Sequence, residues 1–299
     1  MNIGLVGVGP WGAHILRDLR TLGAVVHAVA RSPKSIERAQ KGGAASVVFS
    51  PDALPHSCSG YVVANRTTSH LDAVEELLPR GRPIYVEKPL TSDVARAKRL
   101  PEEAHHLVFI MHKWRYHPGV IELARIAARE DYGPAEGLRS FRLGWGVFHA
   151  DVSTLWTLAP HEYSIALEIF GEVPRPVAAW QDPLTSNEAA ASARLETRAG
   201  VPIMFEVSTN HPVKLRRLLL KCRDAVCQLD DTDYGAISVR PLGARSPDVI
   251  RVGDELPLFA ELRAFLDHLR GGPPPKTSFA EELQVIESIA EIEAMIASR

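Results

Sequence analysis

Three glycines, Gly7, Gly9 and Gly12, follow the apolar run Ile3 to Val6 within "MNIGLVGVGPWGAHILRDL", and no other feature restricts the fold of this chain as tightly. The run reads as a short buried strand, and Ala13 to Leu22 as the helix behind it. Glycines at a strand-to-helix turn let the backbone approach a pyrophosphate, which then rests on the amide groups of the helix N-terminus. Turn glycines most often serve only the turn. Here, however, both the strand and the helix that the mechanism needs are present. The stretch is therefore expected to hold a dinucleotide, with Gly7, Gly9, Pro10, Trp11 and Gly12 around its phosphates.

The end of the second strand bears on which dinucleotide. About 20 residues past such glycines, an NAD-binding fold usually offers a carboxylate to the ribose hydroxyls. This chain offers Ala30, Arg31 and Ser32. A carboxylate would repel a 2'-phosphate, whereas Arg31 can pair with one through charge-assisted bonds. NADP is thus favoured, with NAD as the alternative. The plainer account is that Ser32 caps the helix begun by Pro33 and that Arg31 is solvated.

The first third of the chain alternates strands and helices. "AVVHAVA", "ASVVFS", "GYVVAN", "RPIYVEKP" and "HLVFIMH" read as strands, with "SPKSIERAQKG" and "SHLDAVEELLPRG" as helices between them. That order implies right-handed crossovers and a parallel sheet. Near residue 118 the pattern changes. After the helix "HPGVIELARIAARE" come successive strands, from "EGLRSFRLGWG" to "DVIRVG", interrupted early by the helix "STLWTLAPHEYSIALEIFG". The fold class expected is α/β: a Rossmann domain over 1–118, then an α+β domain over 119–299 with a large, mostly antiparallel open sheet. Two closing helices, separated by "GGPPP", are placed to pack back on the first domain.

The chain's 299 residues and 45% hydrophobic content allow two domains with ample cores. A net charge of -2 gives no field to gather nucleic acid or an anionic membrane, so a small-molecule partner is expected. No basic leader precedes the first strand, and no apolar run reaches the ~18 residues needed to span a bilayer. Cys58, Cys222 and Cys227 form neither a CxxC pair nor an even disulfide framework, which points to a reducing cytoplasm.

Two further stretches carry chemistry. In "YVEKPLTSD", Glu87, Lys88 and Pro89 stand at the carboxyl end of a strand, the edge where parallel sheets bind ligands, so Lys88 would project toward the nicotinamide end of a cofactor. A lysine after a strand is more often a solvated charge. In "LWTLAPHEYSIALEIFG", His161 lies near the start of a helix and shares a face with Ile165 and Glu168 by spacing. Such a histidine is more often structural, and no metal-ligand spacing accompanies it, so no metal is expected.

The order "GLVGVGPWG", "VVANRTTSHLDAVEELL", "VEKPLTSD", "MHKWRYHPGV", "LWTLAPHEYSIALEIFG" and "LFAELRAFLDHLRGGPPPKTSFAEELQVIESI" resembles the Gfo/Idh/MocA oxidoreductases along nearly the whole chain, with the EKP triplet its most specific element. The resemblance implies nicotinamide chemistry on sugars, polyols or nucleotide sugars, a cis bond between Lys88 and Pro89, and an open sheet that often builds dimers or tetramers. By the same resemblance, Lys88 lies beside the nicotinamide and the reacting oxygen, and His161 exchanges a proton with the substrate. Asn65, Thr67, His70 and Glu87 flank the cofactor, while Arg115, Thr157 and Tyr163 adjoin the substrate. Hydride transfer at a carbinol carbon requires such a general acid-base, and a cationic lysine would stabilise alkoxide character.

Thr157 is a departure, because many polyol dehydrogenases of the family carry Asp at that position, and "FHADVST" replaces the usual glycine-rich run before the helix. Both changes turn the reading from polyols toward nucleotide-linked sugars. Two alternatives stand beside the enzyme: a dinucleotide-binding sensor that kept the fold and lost turnover, and a reductase for a non-sugar substrate such as an imine or a tetrapyrrole. A homodimer or homotetramer is also expected. Val201, Ile203, Phe205 and Val207 share one face of a strand, and if that face is free it would expose an apolar patch.

Overall fold

The computed structural model describes residues 1–146, 151–181, 189–230 and 235–298. The start of "FHADVST" at 148–150, the end of "RPVAAWQD" and the end of "AVCQLDD" lie outside them. The chain divides into two compact units, Met1–Lys113 with Leu258–Ile286, and Trp114–Pro257 with Glu287–Arg299.

The first unit is built on six strands: β1 (Asn2–Val6), β2 (Val25–Val29), β3 (Ser46–Val48), β4 (Gly60–Val63), β5 (Ile84–Glu87) and β6 (Val108–Met111). They run parallel in the order β3-β2-β1-β4-β5-β6. Every residue of β4, β5 and β6 is buried, as expected of a parallel sheet covered on both faces. The covering helices are α1 (Pro10–Thr21), α2 (Pro33–Lys41), α3 (His70–Leu77), α4 (Val94–Ala97) and α5 (Ala104–Leu107). Ile15, Leu16 and Leu19 of α1 join Ile3, Leu5 and Val26 in one core. The strand order reverses between β1 and β4, the place where such sheets leave a crevice at their carboxyl edge.

Two C-terminal helices complete this unit. They are α8 (Pro257–His268), counted by numbering after α6 (Pro118–Arg129) and α7 (Thr154–Phe170), and α9 (Phe279–Ala297). Tyr85 of β5 stacks on Phe265 of α8 with ring centroids 5.0 Å apart. The helix α9 divides between the two units after Ile286.

The second unit holds an eight-stranded sheet: β7 (Ala135–Trp145), β8 (Arg175–Gln181), β9 (Ala190–Glu196), β10 (Pro202–Ser208), β11 (Asn210–Cys222), β12 (Ala225–Asp230), β13 (Ala236–Pro241) and β14 (Asp248–Arg251). Its order is β14-β13-β12-β11-β7-β10-β9-β8. The pairing is antiparallel except between β7 and β10.

One expectation is corrected here. Ile203, Phe205 and Val207 are buried, and Tyr163 of α7 meets Phe205 edge to face at 6.3 Å. The chain's own helix therefore covers this apolar face of β10, and the face offers no patch for assembly. The opposite face of the sheet carries the exposed Met204 beside Arg139, and on the same parity the exposed Trp145. Cys58, Cys222 and Cys227 are all free and buried. Among the described residues, no helix is long and apolar enough to cross a membrane.

Candidate functional site

Gly7 closes β1 with φ of +96°, a left-handed conformation that favours glycine, and a Cβ there would lie 2.7 Å from the backbone of Asn65. At Gly12 a Cβ would lie 2.1 Å from the carbonyl oxygen of Gly7, so only glycine lets α1 seat against the turn. Gly9 has nothing in front of it within 4 Å. It is the N-cap of α1, makes no side-chain capping bond, and is followed by Pro10. The first turn of α1 thus has no side-chain cap, open space at Gly9 and no acidic residue, an arrangement that fits a pyrophosphate.

At the end of β2, Ser32 caps α2 in a reciprocal pair with Ser35. Arg31 is exposed and donates through Nε to the carbonyl oxygen of Phe49 at 2.9 Å. The cap and the arginine therefore use different atoms, so the Ser32 cap that the sequence offered forms without engaging Arg31. Phe49, 65% exposed beside Arg31, went unnoticed in the sequence. An aromatic residue directly after a strand was its only signal.

Lys88 follows β5 at the carboxyl edge, and its bond to Pro89 is cis. Glu87 is buried, accepts from the Trp11 indole N–H, and accepts the Lys88 amide at 3.2 Å. The Lys113 ammonium lies 4.7 Å over the Trp11 ring. Burial pushes the Glu87 carboxyl above its ordinary value, against the pull of Lys88, the Trp11 bond and Lys113. Glu261 of α8 is fully buried nearby, and burial and then Glu87 hold its carboxyl well above the usual range. The spacing Leu258, Leu262, Phe265 places Glu261 on the buried stripe of α8, a signal that the sequence did contain. Asn65 donates to the Ser69 carbonyl, and Thr67 opens a half-buried turn before α3. His70 is buried and donates through Nδ1 to the Pro89 carbonyl at 2.9 Å.

In the second unit, α7 carries His161, half-buried, while its neighbour Glu162 is buried and accepts from Ser140 and Arg142. The Arg142 guanidinium lies 4.4 Å over Trp114, whose ring stacks on His117 at 5.0 Å. Arg115 donates to Glu168 at 3.2 Å, and Glu168 lies on the His161 face of the helix, as the spacing implied. Thr157 turns its hydroxyl back to the Ser153 carbonyl. Tyr163 is fully buried in the unit's own interior, and burial raises its hydroxyl pKa. A cavity of about 10 Å³ sits among Trp114, His117, Arg142, Arg216 and Leu229, with room for a water molecule and not for a sugar.

An uncapped glycine cradle in a parallel sheet of this order defines a dinucleotide-binding Rossmann protein. Residues 1–111 match the Gfo/Idh/MocA model, an oxidoreductase family with an NAD-binding Rossmann fold. Over 103 residues the chain is 33% identical to myo-inositol dehydrogenase Hyg17 of Streptomyces leeuwenhoekii, a stretch covering 33% of this chain and 32% of that protein. The match thus spans about a third of the length of this curated relative. UDP-N-acetylglucosamine 3-dehydrogenase GnnA from Acidithiobacillus ferrooxidans has the same fold, with a TM-score of 0.86 at 21% identity over 100% of this chain and 98% of that one. So does a levoglucosan dehydrogenase solved with NADH and levoglucosan, with a TM-score of 0.85 at 15% identity over 100% and 97%. At these identities the likeness is one of fold.

Proposed function

We propose that the chain is an NADP-preferring oxidoreductase that moves a hydride at a carbinol or carbonyl carbon of a sugar or nucleotide sugar. The observation that carries this reading is that Lys88 emerges at the carboxyl edge of the same parallel sheet whose first turn forms the dinucleotide cradle. When bound, the nicotinamide supplies or accepts the hydride. In this reading Lys88 holds negative charge on the reacting oxygen, and His161 takes or gives the hydroxyl proton. Arg31, fixed through Nε to Phe49 and otherwise exposed, pairs with the 2'-phosphate. The substrate class is supported by relatives named for UDP-N-acetylglucosamine, levoglucosan and myo-inositol. The proposal includes assembly into a homo-oligomer through the sheet face that carries Met204 and Trp145.

Fluorescence titration with NADPH and NADH tests the cofactor arm. NADPH is expected to bind more tightly, and Arg31→Ala to weaken NADPH alone by roughly tenfold to a hundredfold. Turnover on a panel of sugars and nucleotide sugars, with Lys88→Ala abolishing it while NADPH still binds, tests the chemistry. Equal affinities for the two cofactors overturn the first arm, and a Lys88→Ala variant with parental turnover overturns the second.

A further inference from the structure

Three backbone groups around Lys88, its own amide, the Pro89 carbonyl and the Leu90 amide, are each taken by a buried side chain. Glu87 accepts the Lys88 amide N–H at 3.2 Å. His70 donates to the Pro89 carbonyl at 2.9 Å. Glu282, from α9 and 192 positions away in sequence, accepts the Leu90 amide N–H through Oε1 at 2.9 Å. Its other oxygen accepts from His112 Nε2 at 2.7 Å, and both residues are almost wholly buried. A charge-assisted bond from a buried carboxylate to a backbone amide is stronger than a neutral one, and it leaves the turn little freedom to move.

We propose that Glu282 is a positioning residue for Lys88: it holds the Leu90 amide, and with Glu87 and His70 it fixes the turn from which the lysine projects. The bond to Leu90 is the part that acts on the turn. His112 orients the Glu282 carboxylate, because it occupies the second oxygen and thereby directs the first toward Leu90. All of these groups lie in the first unit, so the device operates whatever substrate the chain takes. The inference rests on the proposed role of Lys88 for its functional meaning, but not for its test.

Three variants of the full chain separate positioning from general support. Glu282→Gln keeps an amide oxygen for Leu90, Glu282→Asp withdraws the carboxylate by one methylene, and His112→Gln removes the imidazole while leaving Glu282 intact. Hydrogen exchange resolved to the Leu90 amide is the first readout, and the rate at which acetic anhydride labels Lys88 across a pH series, located by mass spectrometry, is the second. Glu282→Asp is expected to speed Leu90 exchange by roughly tenfold to a hundredfold and to shift the labelling profile of Lys88, with Glu282→Gln restoring both close to parental values. His112→Gln is expected to have a smaller effect than Glu282→Asp on both. Parental exchange and labelling in Glu282→Asp overturn the proposal, and so does a change in His112→Gln as large as that in Glu282→Asp. Neither readout needs turnover. A chain that proves inactive on every sugar would sink the proposed function and leave this result standing.

Discussion

Glu261 offers the sharpest test of the physical account of the first unit. Its side chain is fully buried, Oε1 has no hydrogen-bond partner, and Oε2 has only the Tyr85 hydroxyl at 3.5 Å. Burial is the main cause that holds this carboxyl protonated well above the ordinary 4.5, with the neighbouring Glu87 adding to it and Lys113 opposing. The folded chain therefore keeps the Glu261 proton to a higher pH than the unfolded chain does. Above pH 4.5 the unfolded state binds fewer protons, so this group lowers stability as pH rises, until the folded carboxyl itself ionises. Each pH unit in that window costs about 1.4 kcal/mol. Glu261→Gln removes the titration and keeps the shape. At pH 4.5 the two chains are expected to differ only by the cost of a buried amide that lacks a partner, about 1–3 kcal/mol against the variant. From there the variant should gain on its parent as pH rises, by at most about 1.4 kcal/mol per pH unit and only until the folded carboxyl ionises. Urea unfolding followed by far-UV circular dichroism at about pH 5, 6 and 7 measures the difference. A difference that stays flat across the window, or that turns further against the variant as pH rises, refutes the reasoning.

Gly12→Ala forces a Cβ to within 2.1 Å of a backbone oxygen that cannot yield, so NADPH affinity measured by fluorescence should fall by at least about tenfold. Glu162→Gln leaves Arg142 buried without its counter-charge, and loss of a buried pair costs about 3–5 kcal/mol, so the urea midpoint should drop sharply. Light scattering at micromolar concentration should give a mass of two or four chains. A monomer would rule out assembly through the Met204 face.

The alternation of apolar strands with amphipathic helices made the six-stranded parallel sheet legible, because each element's period is local. The covered face of β10 was not legible. A period of two fixes that Ile203, Phe205 and Val207 share a face, yet it says nothing about which face a helix will cover, and that is settled by α7 packing on the sheet. Tyr163 follows a rule that the sequence already held. Two residues along a helix turn the side chain by ~200°, so a tyrosine two positions after His161 points away from whatever the histidine faces, and its burial agrees. The link between Glu282 and Leu90 is a different case, since no local pattern joins groups 192 positions apart and the bond exists only once α9 has docked on the sheet. The Arg31–Ser32 pair shows why even a correct local reading can leave chemistry open. Ser32 caps α2 with its hydroxyl while Arg31 spends only Nε on Phe49, so the capping account removes nothing from the phosphate-binding one. In the proposed reading, what separates NADP from NAD at this edge is the charge offered to the adenosine ribose, and the sequence there offers Ala30, Arg31 and Ser32, a guanidinium and no carboxylate.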